Sequence, residues 1–236
     1  MNTKKPTAQK PTAQKPIAQK PTAQKPTAME NRKMADGARM MSPSVERNKG
    51  PILEVLRPQL NRGMRVLEFA SGTGEHGAHI MSQIDGLIWQ PSDLSEEARQ
   101  SIAAWAEHSG NPGFRSPLAL DASLEHWSVE DDQTFDAIVC MNMIHISPFD
   151  AARGVIKGAG RILEVGGFLF FYGPFKRGGV HTAPSNEAFD QSLKSRDPSW
   201  GIRDVEVIEE LACQAGLTLE SLTEMPANNL SLIFRR

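Results

Sequence analysis

Cysteine is scarce: Cys140 and Cys213 are the only two in 236 residues, too few for the disulfide framework that holds small secreted domains together. Cys140 lies inside an apolar run, where a reduced thiol fills space, and neither cysteine has the electropositive setting of a nucleophile. Long hydrophobic runs are missing too. Nothing approaches the roughly 20 apolar residues that cross a bilayer, so no membrane partner is expected and the cytoplasm is the expected compartment. Metal-ligand patterns are equally thin. His76 and His79 stand three apart on a helical stretch, but no third ligand and no HExxH pattern accompany them, so no metal is expected. Excess charge is absent overall, at −2, yet it is unevenly placed. Residues 1–40 hold nine of the 26 Lys/Arg and two of the 28 Asp/Glu, about +7, leaving 17 basic and 26 acidic residues, about −9, for the rest. An acidic body argues against a nucleic-acid substrate, because neutralising phosphate supplies most of the affinity of such proteins.

The basic opening is a pentapeptide array. KPTAQ begins at Lys5, Lys10 and Lys20, KPIAQ at Lys15, and a truncated KPTA at Lys25. Proline at every fifth position removes backbone donors and blocks helix continuation, and almost nothing apolar offsets the entropy of ordering. Residues 1–40 therefore read as a disordered, extended tail with polyproline character, a spacer or weak polyanion binder, and residues 41–236 as the folded domain. Transit peptides are amphipathic and arginine-rich; this segment is neither.

Beyond the tail, elements alternate. Residues 44–60 have helical spacing at Ile52, Leu53, Leu56 and Leu60, with Pro51 expected to divide them into two helices. MRVLEFA reads as a buried strand, GEHGAHIMSQI as a helix, GLIWQPSD as a second strand, and LSEEARQSIAAWAEHSG as an amphipathic helix stopped by Gly110. SPLALD (116–121) is expected to be a third strand, TFDAIVCMNM a fourth and GGFLFFYGPF a fifth, with a helix over 150–163 between the last two. VEVIEELACQAGL follows as a helix stopped by Gly216, and TLESLTEM and LSLIFRR are strands close enough to pair. The pattern predicts an α/β fold: a mostly parallel seven-stranded sheet with helices on both faces and an antiparallel C-terminal strand pair.

The stretch richest in chemistry is VLEFASGTGEHG. Glu68 sits where the first strand ends, and Gly72 and Gly74 form a tight loop before a helix, where glycine permits positive φ and close approach to a ligand. Asp93, at the end of the second strand, follows Gly72 by 21 positions, the spacing at which an acid meets ribose hydroxyls. A dinucleotide site uses three glycines and seats pyrophosphate on the helix N-terminus. Here Glu75 and His76 occupy that helix start, and Glu75 repels phosphate. A carboxylate at Glu68 suits instead a ligand with a cationic amine, which S-adenosylmethionine has and NAD lacks. The bland alternative is a Rossmann-like domain whose glycines serve only the turn.

Taken together, E-x-A-S-G-T-G, then P-S-D, then L-D-A resemble the motif series of class I S-adenosylmethionine-dependent methyltransferases over nearly the whole body. NMIHISPF (142–149), WQPSD, and the later run from HTAPSN to WGIRD resemble more narrowly a small family of uncharacterised methyltransferase-like proteins of bacteria and animals, from about Arg47 to the C-terminus. The resemblance implies a Rossmann-like methyltransferase fold. It implies Glu68, Ala70, Gly72 and Gly74 around the methionine half of the cofactor, Asp93 on the ribose, Leu120, Asp121 and Ala122 at the adenine, and Asn142 facing the methyl group. Asp93 and Asp121 also suit helix caps or turns.

Ligands of open α/β sheets sit beyond the carboxyl ends of the strands, which makes Asn142, His145, Tyr172 and Phe175 acceptor-side candidates. Displacement at a sulfonium needs mainly alignment, with a base only where the acceptor must lose a proton. His145 is the first candidate base and His181 the second; capping near Pro148 is the rival role for His145, and a surface-loop role for His181. Residues 176–204, with His181, Asn186, Asp190, Arg196, Trp200 and Arg203, are too long and polar for a bare connection and suit a lid over the acceptor, with arginines for a carboxylate. A salt-bridged structural lid predicts the same residues. Arg47 and Asn48 are placed to close over the cofactor from the other side, unless Asn48 only caps a helix. The expected function is methyl transfer from S-adenosylmethionine to a small molecule at oxygen, nitrogen, sulfur or a heavier chalcogen. The rivals are a non-catalytic S-adenosylmethionine-binding module acting through a partner, and a nicotinamide-dependent oxidoreductase.

Overall fold

The computed structural model describes residues 33–34, 37–129 and 133–236; the KPTAQ array, for which disorder is expected, lies outside them. The described body takes in residues assigned above to the tail. β1 (Lys33–Met34) pairs antiparallel with β2 (Met40–Met41), and Met40 is buried, its N–H donated to Ser101 Oγ and its carbonyl accepting from Trp105 Nε1. α1 (Pro43–Leu56) follows as one helix, not two, with Pro51 inside it. Losing a single donor did not split it, because Ile52, Leu53 and Leu56 beside the proline are buried and packing outweighs one missing hydrogen bond.

The central sheet is built from β3 (Arg65–Phe69), β4 (Ile88–Pro91), β5 (Phe135–Met141) and β6 (Leu163–Gly173), all parallel, and from β10 (Thr218–Met225) and β11 (Asn229–Arg235), which run antiparallel at one side. The order is β10-β11-β6-β5-β3-β4, six strands and not the expected seven. The missing one is SPLALD. Residues 114–118 run beside β4 but make only two isolated parallel bridges, Trp89 to Phe114 and Ser92 to Leu118. Pro91 on β4 and Pro117 opposite it both lack an N–H, and the register slips by one residue between the two bridges.

Helices cover both faces. Leu67, Phe69, Ile138, Cys140, Leu169 and Phe171 point into one apolar cluster, with α4 (Phe149–Ile162) and α6 (Val205–Gln214) over it. Val66, Ala137, Val139, Phe168, Phe170 and Tyr172 alternate with them into the other, beneath α1, α2 (Glu75–Gln83) and α3 (Glu96–Ser109). Burial on both faces is why these strands read as nearly unbroken apolar runs. Within the first cluster burial pushes the Cys140 thiol far up, so it stays protonated and inert. α4 presses close at its glycines: a Cβ on Gly154 would lie 1.7 Å from the Ala122 carbonyl oxygen.

The long segment after β6 is not a loop. β7 (Phe175–Arg177), β8 (Val180–His181) and β9 (Arg203–Asp204) form a three-stranded sheet, order β8-β7-β9, and α5 (Pro184–Arg196) lies between β8 and β9. Only Asn186, Asp190 and Leu193 of α5 are buried. Two of these are polar, so no apolar stripe marks the helix in the sequence. Among the described residues no helix is long and apolar enough to cross a membrane.

Candidate functional site

At the carboxyl end of β3 the backbone turns left-handed three times in five residues: Ala70 at φ 51°, Gly72 at 61° and Gly74 at 89°. Alanine in this region costs about 1 kcal/mol and is found where a site requires the shape. Gly74 opens α2 and has a second constraint, since a Cβ there would lie 2.9 Å from the Ile102 Cα. The loop therefore sits directly on α3.

Glu68 lies beneath this loop, fully buried. Its Oε2 accepts from Trp89 Nε1 at 2.9 Å, while Oε1 has no partner. Burial pushes its carboxyl up to about 7; the Trp89 hydrogen bond and the nearby Ser71 hydroxyl offset part of this and the Asp93 charge adds to it. Asp93 ties the second strand to the loop: Oδ2 accepts from the Gly72 N–H and Oδ1 from the Ser95 N–H, both at 2.9 Å. Asp121 Oδ1 accepts from the Ser123 N–H and hydroxyl at 2.8 and 2.6 Å, the turn geometry left open for it, and the side chains of Leu120 and Ala122 are buried. Glu75, at the helix start, is buried as well, its carboxylate accepting from the Ser42 N–H and the Thr73 hydroxyl.

At the ends of β5 and β6, Asn142 is left-handed at φ 62° and its N–H donates to the Tyr172 carbonyl. His145 is buried against Phe189 and beside Gly173, where a Cβ would come within 2.8 Å of its ring. Burial, aided by the Arg203 charge, lowers it to about 3, so it is neutral near pH 7 and a weak base. Arg203 does not wait for an acceptor. Its guanidinium donates to the carbonyls of Ile144, Ser147 and Ser199 at 2.8, 2.7 and 3.0 Å and lies over Phe149, clamping the 142–149 turn to the β9 region. Phe175, expected at the acceptor, is fully buried in the apolar cluster with Val205 and Ile208; its ring has no polar edge to draw it out of the core.

The remaining residues fall into two groups. In one, the buried Asp190 carboxylate meets Lys194 Nζ at 2.7 Å, His181 Nε2 at 3.4 Å and Lys176 Nζ at 3.5 Å, and caps the Ile202 N–H. Burial raises this carboxyl, but the Lys194 and Ile202 bonds and the lysine charges more than offset it, and the net shift is downward. Asn186 bonds the Thr182 hydroxyl and the Asn228 carbonyl, and Trp200 is half-buried. The other group joins α1, α2 and β6. Asn48 Oδ1 pairs with His76 Nε2 at 2.9 Å, Asn229 Nδ2 donates to the Tyr172 hydroxyl at 3.0 Å, and Asn48 and the Arg47 charge act on the same hydroxyl. Burial lowers His76 to about 4. Trp89, His76 and Asn229 had no assigned part in the site. Trp89 carries a sequence signal, an indole in a buried strand needing a hydrogen-bond acceptor; Asn229 carries none.

Two surface cavities lie outside the glycine loop. One, of about 380 Å³, is lined by Met41, Lys49, Glu75, His79, Trp105 and His108 among others. The other, of about 440 Å³, lies among β8, β10 and β11 and includes His181 and Asn229.

Solved structures share this architecture. An O-methyltransferase family protein from Burkholderia thailandensis superposes with a TM-score of 0.69 at 18% identity, over 82% of this chain and 57% of that one. The S-adenosylmethionine-dependent methyltransferase SibL gives 0.66 at 17%, over 82% and 55%. Magnesium protoporphyrin IX methyltransferase of Synechocystis PCC 6803, solved with bound S-adenosylhomocysteine, gives 0.62 at 13%, over 81% and 83%. The chain spans little more than half the length of the first two. At these identities the likeness is one of fold, the Rossmann-like methyltransferase fold. A match to a sequence family runs from residue 39 to residue 236, and by it the chain belongs to the family described as Protein of unknown function (DUF938).

Proposed function

We propose that this protein transfers a methyl group from S-adenosylmethionine to a small-molecule nucleophile at oxygen, nitrogen, sulfur or a heavier chalcogen. The observation that carries the reading is the fully buried Glu68, one oxygen short of a donor beneath a left-handed glycine loop. A buried carboxylate in that state favours a cationic partner, and the amino-acid end of S-adenosylmethionine brings an ammonium. Asp93 accepts the Gly72 and Ser95 N–H groups, which holds its carboxylate at the end of the second strand, the place from which an acid meets ribose hydroxyls. Asp121 keeps Oδ2 for an exocyclic amine, between the apolar walls of Leu120 and Ala122. Against a nicotinamide dinucleotide stands the buried Glu75 at the start of α2, where pyrophosphate would have to sit.

When bound, S-adenosylmethionine supplies an electrophilic methyl on a good leaving group. The chain's own residues then have mainly to orient and to exclude water. Asn142, fixed at the end of β5, faces the methyl position. His145, neutral and weakly basic, serves by packing the 142–149 turn. His181 is the other candidate base where an acceptor must lose a proton, with Asp190 facing its Nε2 at 3.4 Å. The body works in the cytoplasm, with the KPTAQ tail as a spacer outside it.

Calorimetric titration with S-adenosylmethionine, S-adenosylhomocysteine and NAD tests the reading. Binding of the two adenosyl sulfur ligands alone is the expected result, and binding of NAD alone would refute it. A metabolite-pool screen for transfer from methyl-labelled cofactor then identifies the acceptor.

A further inference from the structure

The glycine loop is held from behind by a segment that the sequence assigns in part to the tail. Thr73 stands between Gly72 and Gly74 and is buried. Its carbonyl accepts the Ser101 hydroxyl proton at 2.7 Å, and the N–H of the same peptide, that of Gly74, donates to the Ser71 carbonyl at 3.0 Å. A peptide leading into glycine turns over readily when nothing holds it, because glycine accepts φ of either sign. Here both of its polar ends are occupied. The Thr73 hydroxyl donates in turn to Glu75 Oε2 at 2.9 Å.

Residues 39–42 bind the far side of both partners. The Met40 N–H donates to Ser101 Oγ at 2.8 Å, and the Ser42 N–H donates to Glu75 Oε2 at 2.6 Å. The Ser101 hydroxyl thus receives one hydrogen from this segment and gives its own to the loop, a chain in which each bond polarises the next. Met40, Thr73, Glu75 and Ser101 are all buried, so losing one donor leaves a desolvated acceptor behind. The segment also has an anchor away from the loop: Trp105 Nε1 donates to the Met40 carbonyl at 3.0 Å, and Arg39 lies over the Trp105 ring at 5.0 Å. Ile102, next to Ser101 on α3, is the residue that a Gly74 Cβ would strike. Loop, helix and segment therefore meet at one point.

We propose that residues 39–42 are a strap that sets the glycine loop for the cofactor, the Met40 and Ser42 amides being positioning groups that act through Ser101 and Glu75. The inference takes its ligand from the function proposed above; the link from strap to loop stands without it.

The test uses the full-length chain. Trp105→Phe removes the strap's anchor and Met40→Pro its donor to Ser101, neither touching a bond of the loop, while Ser101→Ala removes the loop bond itself. S-adenosylhomocysteine is titrated by calorimetry well below the melting temperature, and amide exchange is followed at residues 71–75 in the ligand-free protein. Ser101→Ala is expected to weaken binding about tenfold and the strap variants about threefold or more, as for one or two net hydrogen bonds. All three should speed exchange of the Gly72 and Gly74 amides. Trp105→Phe combined with Ser101→Ala should lose no more than Ser101→Ala alone, since both act along one chain. Thermal melts identify a variant that does not fold, and Trp105→Phe decides if Met40→Pro is one. Strap variants that melt earlier but keep wild-type affinity and exchange would show a prop without influence on the loop, and overturn the inference. Fully additive losses in the double variant overturn it as well. Failure of S-adenosylhomocysteine to bind wild type sinks the proposed function instead, and exchange at Gly72 and Gly74 in the same variants still decides the strap.

Discussion

Replacing Glu68 with glutamine should strengthen the fold and weaken the cofactor at the same time. The carboxyl is fully buried and raised from 4.5 to about 7. The folded state therefore keeps a proton that the unfolded chain loses between these values, and stability falls as pH rises through that window. At about 1.4 kcal/mol per unit, the full penalty above pH 7 is about 3 kcal/mol. Glutamine has no charge to desolvate, and its amide oxygen can still accept from Trp89. Urea unfolding of both proteins at pH 5 and pH 8 should show near-equal stability at pH 5. At pH 8 the variant should gain by up to about 3 kcal/mol. Calorimetry with S-adenosylhomocysteine should move the other way. Losing a charge-assisted contact worth about 1.5–3 kcal/mol costs roughly one to two orders of magnitude in affinity. Wild-type affinity should itself rise from pH 6 to pH 8, as Glu68 ionises while the ligand's ammonium stays charged. A stability difference that does not change with pH would show that Glu68 does not titrate here. Unaltered affinity in the variant would remove it from the site.

In the Glu68→Gln background the acid limb becomes visible. His76 and His145 are held neutral at about 4 and about 3 by burial, so the stability they confer is complete above pH 6.5 and is lost as pH falls toward those values. Denaturant melts should lose about 2 kcal/mol per histidine between pH 7 and pH 5, and His76→Gln should remove one share. Gly74→Ala should destabilise by about 1–3 kcal/mol in the same assay, since a left-handed residue gains a Cβ 2.9 Å from backbone of α3; a neutral result would mean the loop shifts freely. Arg203→Ala should cost about 2–4 kcal/mol and raise amide exchange in residues 142–149, because three carbonyls lose a charged donor. Lysine there should not rescue, lacking the planar fork.

Elements carried by apolar periodicity were legible in the sequence. β3, β5 and β6 are apolar on both faces, and α3 and α6 end at Gly110 and Gly216, both left-handed. What escaped was decided by missing backbone donors and by tertiary contacts. SPLALD lacks a ladder where Pro91 and Pro117 offer no N–H, and α5 buries Asn186 and Asp190, so it reads as polar loop. The glycine loop and the acids beside it stood out in the sequence because a fixed spacing along the chain carries them. The Asn48–His76 and Tyr172–Asn229 bonds cross 28 and 57 residues, and no local pattern announces them. Arg203 shows the opposite failure: its charge suggested a ligand, and backbone carbonyls took it first.

The most direct measurement is a crystal structure of the protein grown with S-adenosylhomocysteine. The account predicts adenosine over the carboxyl ends of β3 and β4, ribose hydroxyls within hydrogen-bond distance of Asp93, and the ligand's ammonium next to Glu68. Adenosine bound elsewhere, or a ligand whose amine points away from Glu68 while its ribose hydroxyls make no contact with Asp93, would contradict it.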